Sequence, residues 1–321
     1  MASALMAALG ACASAPQPVP PPRPAPVEVA AAPVPRPAPV PPPARRPSAP
    51  PDEPAQPSPA SANIADYLAG IEDTLIGRGL LRTDAGTGIT TDRATLARDF
   101  IQIALRDEYQ MRAGLLVPDA HPAPLRRWET PVRVSVEFGP SVRRATQARD
   151  RAIIADFTAR LGRVTGHDIA LTGGPGNFVV LVVNEDERRA IGGRLATLVP
   201  GIPPGDVRAI QNLSPQNYCT VFAYSRGAGS AYSNAVAVIR AELPARLRTS
   251  CVHEEMAQGM GLANDSPDAR PSIFNDDEEF AYLTRHDELL LKMLYDRRLR
   301  TGMTEPEARP IVDDIAAELA R

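Results

Sequence analysis

Residues 251–296 read CVHEEMAQGMGLANDSPDARPSIFNDDEEFAYLTRHDELLLKMLYD. The register in which their polar groups are read decides the fold. His253-Glu254 invites comparison with H-E-x-x-H, where two imidazoles four residues apart on one helix face hold zinc and the glutamate acts as general base. From His253 the second imidazole would fall at Ala257, which has no donor atom, so this register fails. One residue later the spacing becomes Glu254-Glu255-x-x-Gln258-x-x-Gly261-x-x-Asn264. Here a helix carries polar groups at i and i+4, and a glycine turns the chain back towards a third polar residue.

That second spacing resembles the metzincin signature H-E-x-x-H-x-x-G-x-x-H. Glu255 falls on the catalytic glutamate and Gly261 on the turning glycine, while Glu254, Gln258 and Asn264 stand at the three ligand positions. Ser272-Ile273-Phe274 resembles the Met-turn, with Phe274 in place of methionine, and Leu283-Thr284-x-x-Asp287 with Leu294-Tyr295 resembles the last helix of matrixin-type domains. The run Glu254 to Ser266 is also similar to the bacterial family called Domain of Unknown Function 2927, whose members look like envelope lipoproteins. The resemblance implies an α+β, zincin-like domain over roughly residues 130–296: a twisted mixed sheet packed by helices, in the cell envelope, with no established activity.

Zinc takes imidazole, thiolate or carboxylate, and neutral amide oxygens are poor ligands for it. Glu254 with Gln258 and Asn264 therefore predicts no metal and no cofactor. Calcium wants six to eight oxygens, which Asp265 and water would have to complete. His253 stands roughly 100° round the helix from Glu254 and does not restore the site. His286, in Leu-Thr-Arg-His-Asp, reads as a carboxylate's partner or a surface residue. Three readings stand: a polar network fastening the helix to the next loop, a cleft that binds a peptide, protein or wall component without cutting it, and a metal-dependent peptidase with Glu255 as general base. A purely structural spacer would fill the cleft beside Glu255 with side chains.

Upstream the hydrophobic periods are regular. Helical spacing covers 63–81, ending at Gly79, and a second helix capped at Thr91-Asp92 runs to Leu105. Val132, Val134, Val136 and Phe138 alternate with polar residues in a strand after Trp128. A long helix over 146–163 turns Ala152, Ile153, Phe157 and Leu161 inward. Strands are predicted over 168–171, 178–183, 219–224 and 235–241, and helices over 185–198, 206–213 and 305–319. Thr172-Gly173-Gly174-Pro175-Gly176 lacks the Lys-Ser/Thr of a phosphate loop and reads as a turn. Strand, long helix, strands and helix in this order imply a mixed sheet with helices packed on it.

The N-terminal portion is of another kind. Residues 1–11, MASALMAALGA, are apolar and end in small residues before Cys12, although they lack a basic n-region. Leu9-Gly10-Ala11-Cys12 resembles a lipobox, which predicts a signal peptide over 1–11, acylation of Cys12 and membrane attachment through the lipid. Ala13 rather than Asp after the cysteine favours the outer membrane, facing the periplasm. Most of the 35 prolines precede residue 60. Residues 12–60 then form a disordered tether, at ~3.1 Å per residue reaching on the order of 100 Å, and the domain spans 61–321. An oxidising compartment predicts a disulfide between Cys219 and Cys251, with two buried free thiols as the other reading. A formal net charge of −3, with Lys292 the sole lysine, leaves no electrostatic footprint for nucleic acid.

Overall fold

A computed structural model describes residues 56–112, 115–275 and 277–320. Cys12, the lipobox-like run and the tether up to residue 55 lie outside the described residues. The chain runs α1 (Pro59–Gly77), α2 (Arg93–Ala104), β1 (Arg106–Arg112), β2 (Leu115–Pro122), β3 (Arg127–Trp128), β4 (Val132–Phe138), α3 (Arg144–Thr165), β5 (Ile169–Leu171) and β6 (Phe178–Val183). It continues through α4 (Glu185–Ala190), α5 (Gly192–Leu198), α6 (Pro204–Gln211), β7 (Cys219–Ser225), β8 (Ala231–Arg240), α7 (Ala245–Gln258), α8 (Arg285–Leu294) and α9 (Glu305–Leu319).

The main sheet has the order β7-β8-β6-β4-β5, and β3 adds two residues beside the start of β8. β4, β5, β6 and β8 are parallel, whereas β7 runs antiparallel to β8. Tyr232 lies opposite both Trp128 and Ser225. A strand has two edges, so β3 and β7 flank β8 on opposite sides. Among the described residues β7 pairs with no strand but β8 and forms one edge of the sheet.

Alternation sorts the apolar side chains into two layers. Val132, Val134, Val136, Phe178, Val180, Val182, Ala237 and Ile239 join the larger core, with Phe157, Leu161, Val252, Met256 and Leu290 from the helices. Val179, Leu181, Val183, Val236 and Val238 face the other way onto Ile191, Leu195 and Ile210. Burial on both faces explains why Phe178–Val183 is an uninterrupted apolar run. The result is a mixed α/β domain with a mostly parallel sheet.

Several expectations need correction. Ala152 is exposed, and Ile154 and Thr158 are buried on α3 in its place. The single helix expected over 185–198 is two, because the chain breaks at Ile191, which caps both α4 and α5 ahead of Gly192-Gly193. The hairpin β1–β2 was not expected. Its first strand, Arg-Asp-Glu-Tyr-Gln-Met-Arg, has only Tyr109 and Met111 as apolar residues, an alternation too short to read as a strand. The glycine-rich turn owes Gly176 to close packing: a Cβ there would lie 2.3 Å from the Arg133 carbonyl oxygen of β4.

Candidate functional site

Helix α7 is held at both ends by residues distant in sequence. Pro244 at its N-cap offers no side-chain acceptor, and Glu72 of α1 takes that role: its Oε2 accepts from the amides of Arg246 and Leu247 at 3.0 and 2.8 Å. At the C-terminal end Trp128 Nε1 donates to the Gly259 carbonyl at 2.8 Å and the Tyr295 hydroxyl to Met260 at 3.1 Å. Gly261 has φ +123°, and a Cβ on it would lie 2.3 Å from the Arg126 carbonyl oxygen, so the turn after α7 admits no side chain.

The residues at the three ligand-like positions are engaged in different ways. Asn264 is 2 % exposed; its Nδ2 donates to the carbonyls of Gln102 and Asp265 at 2.8 and 2.7 Å, and its own amide donates to Ile103. Its Oδ1 has no partner among the described residues. Gln258 Nε2 donates to Asp265 Oδ1 at 3.3 Å. Glu254 and Glu255 point elsewhere. One carboxylate oxygen of each lies within 4.8 Å of the other and of Cys219 Sγ at the start of β7. Glu255 is 4 % exposed and Glu254 is partly exposed. Cys219 is joined to Cys251 by a disulfide with Cα atoms 5.9 Å apart, which ties the edge strand to α7.

A zinc ion bound in the metzincin manner does not fit these side chains. The amide nitrogens of Gln258 and Asn264 are spent on the loop around Asp265, and the Asn264 oxygen left over is a neutral donor. None of the described histidines belongs to the cluster at Glu254 and Glu255. His167 reaches the Thr130 carbonyl, and His121 faces Asp107 at 3.8 Å. His286, which allowed a surface reading, is fully buried, with Nε2 3.1 Å from Asp99 and Nδ1 3.0 Å from the Thr91 hydroxyl.

His253 has turned into the core. It stacks on Phe157 at 4.1 Å between centroids, lies beside Tyr282, and its Nδ1 accepts from the Leu283 amide at 3.0 Å. Burial first, and the nearby Arg160 charge second, push its pKa down to about 3. The folded state then keeps the imidazole neutral where the unfolded chain, at roughly 6.5, would protonate it. Stability should therefore fall as pH drops from about 6.5 towards 3, by up to roughly 1.4 kcal/mol per pH unit. His253→Asn retains an acceptor for Leu283 and cannot titrate. Urea titrations across this range should show a flatter profile for the variant, and an unchanged slope would overturn the assignment.

The turn that follows α7 is organised by Asp287. Its Oδ1 accepts from the Ser272 hydroxyl at 2.6 Å, and its Oδ2 from the amides of Ile273 and Thr284 at 3.2 and 2.8 Å. Its own amide donates to Thr284 Oγ1, closing a capping box on α8. Burial raises the Asp287 pKa despite these hydrogen bonds. Ser272, Thr284 and Asp287, quoted above for their resemblance to the turn and last helix, thus meet at one point. Phe274, in the methionine's place, is fully buried in the core.

Fold and site together define a mixed α/β domain in which one helix brings two adjacent glutamates to a cystine-tied edge strand. A family model described as "Protein of unknown function (DUF2927)" matches residues 93–314, and the chain belongs to that family. No curated protein and no solved structure matches the chain.

The sequence pointed to Glu254, Glu255, Gln258 and Asn264 but not to Cys219 as their neighbour. The signal was present in part. Cys251, Glu254 and Glu255 stand at i, i+3 and i+4, on one side of a helix.

Proposed function

We propose that this chain is a lipid-anchored envelope protein, attached through Cys12 at the outer membrane. Its zincin-like domain binds an extended peptide, a protein or a wall component without cleaving it. The zincin-like reading is supported by the element order, strand, long helix, strands and glutamate-bearing helix, and by Gly261 turning the chain after α7. No described helix is long and apolar enough to cross a membrane.

The observation that carries the binding reading is the placement of Glu254 and Glu255 at the start of β7, with the Gln258 and Asn264 amides committed to the loop. Strand β7 pairs with β8 alone among the described residues, so its other backbone edge is a template for strand addition. Glu254, the partly exposed member of the pair, supplies a polar group for a side chain of an added strand.

The test uses the oxidised full chain. Linear peptides selected from a random displayed library should slow hydrogen exchange at β7 amides and remain intact, and the protein should carry far less than one zinc per chain. Selected peptides that bind without protecting β7, or failure to select any, would overturn strand addition. Cleavage together with stoichiometric zinc that Glu254→Ala loses would establish the metallopeptidase alternative, with Glu255 as base.

A further inference from the structure

The cystine and the two glutamates form one cluster with a property that neither has alone. Cys251, Glu254 and Glu255 share a face of α7, and Cys219 meets them from β7. The Cys219 sulfur and one oxygen of each carboxylate lie within 4.8 Å of one another. Cys251 is 2 % exposed, whereas Cys219 is partly exposed. While the disulfide is closed its sulfurs are weak donors. Once it is opened the same place holds the Cys219 thiol and two carboxylates, with the Cys251 thiol freed next to Cys219, and thiolate with carboxylate is a donor set that zinc accepts.

We propose that reduction of Cys219–Cys251 converts this cluster into a site for a divalent cation of the zinc class, ligated by the Cys219 and Cys251 thiolates and the Glu254 and Glu255 carboxylates. The reductant is an external dithiol. One of its thiolates attacks Cys219 Sγ, the more exposed sulfur, and the S–S bond breaks with Cys251 leaving as thiolate. The second thiol of the reductant then displaces Cys219 from the mixed disulfide. Two electrons pass to the protein, the reductant leaves as its own disulfide, and cation binding sends the two thiol protons to solvent.

The geometry changes in the required direction. Tetrahedral zinc, with Zn–S near 2.3 Å and Zn–O near 2.0–2.2 Å, sets its donors roughly 3.4–3.8 Å apart. The sulfurs must separate from bonding distance, which reduction does, the Cys219 sulfur and the carboxylates must close by about 1 Å from their 4.8 Å limit, and the freed Cys251 side chain must turn towards them. Charge couples the two events. A Cys219 thiolate left beside two carboxylates is opposed by like charge, and a cation offsets that opposition. A cation that binds only the dithiol form shifts the dithiol–disulfide equilibrium by about a hundredfold at a hundred times its dissociation constant.

The site uses neither Gln258 nor Asn264 and does not rest on peptide binding. It belongs to the reduced form, whereas the test above uses the oxidised one, so each reading can fail alone.

The experiment uses the full chain carrying Cys12→Ser, which leaves Cys219 and Cys251 as its only cysteines. The chain is reduced with a phosphine, freed of reductant without oxygen, and titrated with cobalt(II). One cobalt per chain should bind with a thiolate-to-cobalt charge-transfer band, and the oxidised chain should show none. Glu254→Gln with Glu255→Gln should weaken binding at least tenfold. Absence of the band, equal binding by the oxidised chain, or unchanged affinity in the double variant would each overturn the proposal. Should reduction unfold the domain, zinc must restore its circular dichroism, and a reduced chain that stays unfolded with zinc overturns it equally.

Discussion

Replacing Glu185 by glutamine should destabilise the domain by roughly 3–5 kcal/mol, the cost of leaving buried cations without their anion. Glu185 is 2 % exposed and sits between Arg188 and Arg240, each 1 % exposed. Its Oε2 accepts from both guanidinium groups at 2.6 Å, and its Oε1 from Arg189 at 2.6 Å. Burial alone would push this carboxyl up, but the hydrogen bonds from Arg188, Arg240 and Arg189 outweigh burial and hold its pKa at about 2. The arginines are committed in turn: Arg240 donates to the carbonyls of Leu213, Ser214 and Asn217, and Arg188 to Ile210. The network therefore joins α4, the segment after α6 and the end of β8.

A pH dependence follows from the depressed pKa. The stabilisation is fully present above the unfolded value of roughly 4.3 and is lost as pH falls towards 2, amounting to on the order of 3 kcal/mol. Urea unfolding at pH 7 and at intervals down to pH 2 would measure both effects. Glu185→Gln should lower the midpoint at neutral pH and flatten the acid limb. A loss below 1 kcal/mol would show that water reaches the arginines and that the network is not dry.

Asp287→Ala should cost about 3–5 kcal/mol, because it strands several buried donors at once. The Ser272 hydroxyl and the amides of Ile273 and Thr284 all lose their acceptor, and α8 loses its capping box. Asp287→Asn keeps one acceptor oxygen and should cost less. Since α8 loses its cap with this carboxylate, trypsin should cut the alanine variant faster after Arg285 at the helix start, whose side chain is 63 % exposed. A variant as resistant to trypsin as the parent would mean that the turn is held by Phe274 packing instead.

The legible parts of the fold are those where a local period meets a layer. Val132–Phe138 alternates because one face meets the larger core, and Phe178–Val183 does not because both faces are covered. The helix ending before Gly261 was legible because close backbone approach there admits only glycine. The break at Ile191 was missed although its signal, the helix-weakening pair Gly192-Gly193, follows it directly in the sequence. Ala152 and Ile154 were exchanged for another reason: two adjacent apolar positions leave the helix phase loose by one residue.

Sequence by itself determined the polar set Glu254, Glu255, Gln258 and Asn264, the glycine that turns the chain after them, and membership of a family whose motif they carry. These are local facts, fixed by spacing along one helix and its exit. Tertiary structure alone decided their grouping. Asn264 and Gln258 close a loop against α2, Glu254 and Glu255 face a cystine 32 residues wide, and His286 finds Asp99 from 187 positions away. Partners of that kind are chosen by how the sheet and its helices bring distant segments together, and no period in the chain encodes them.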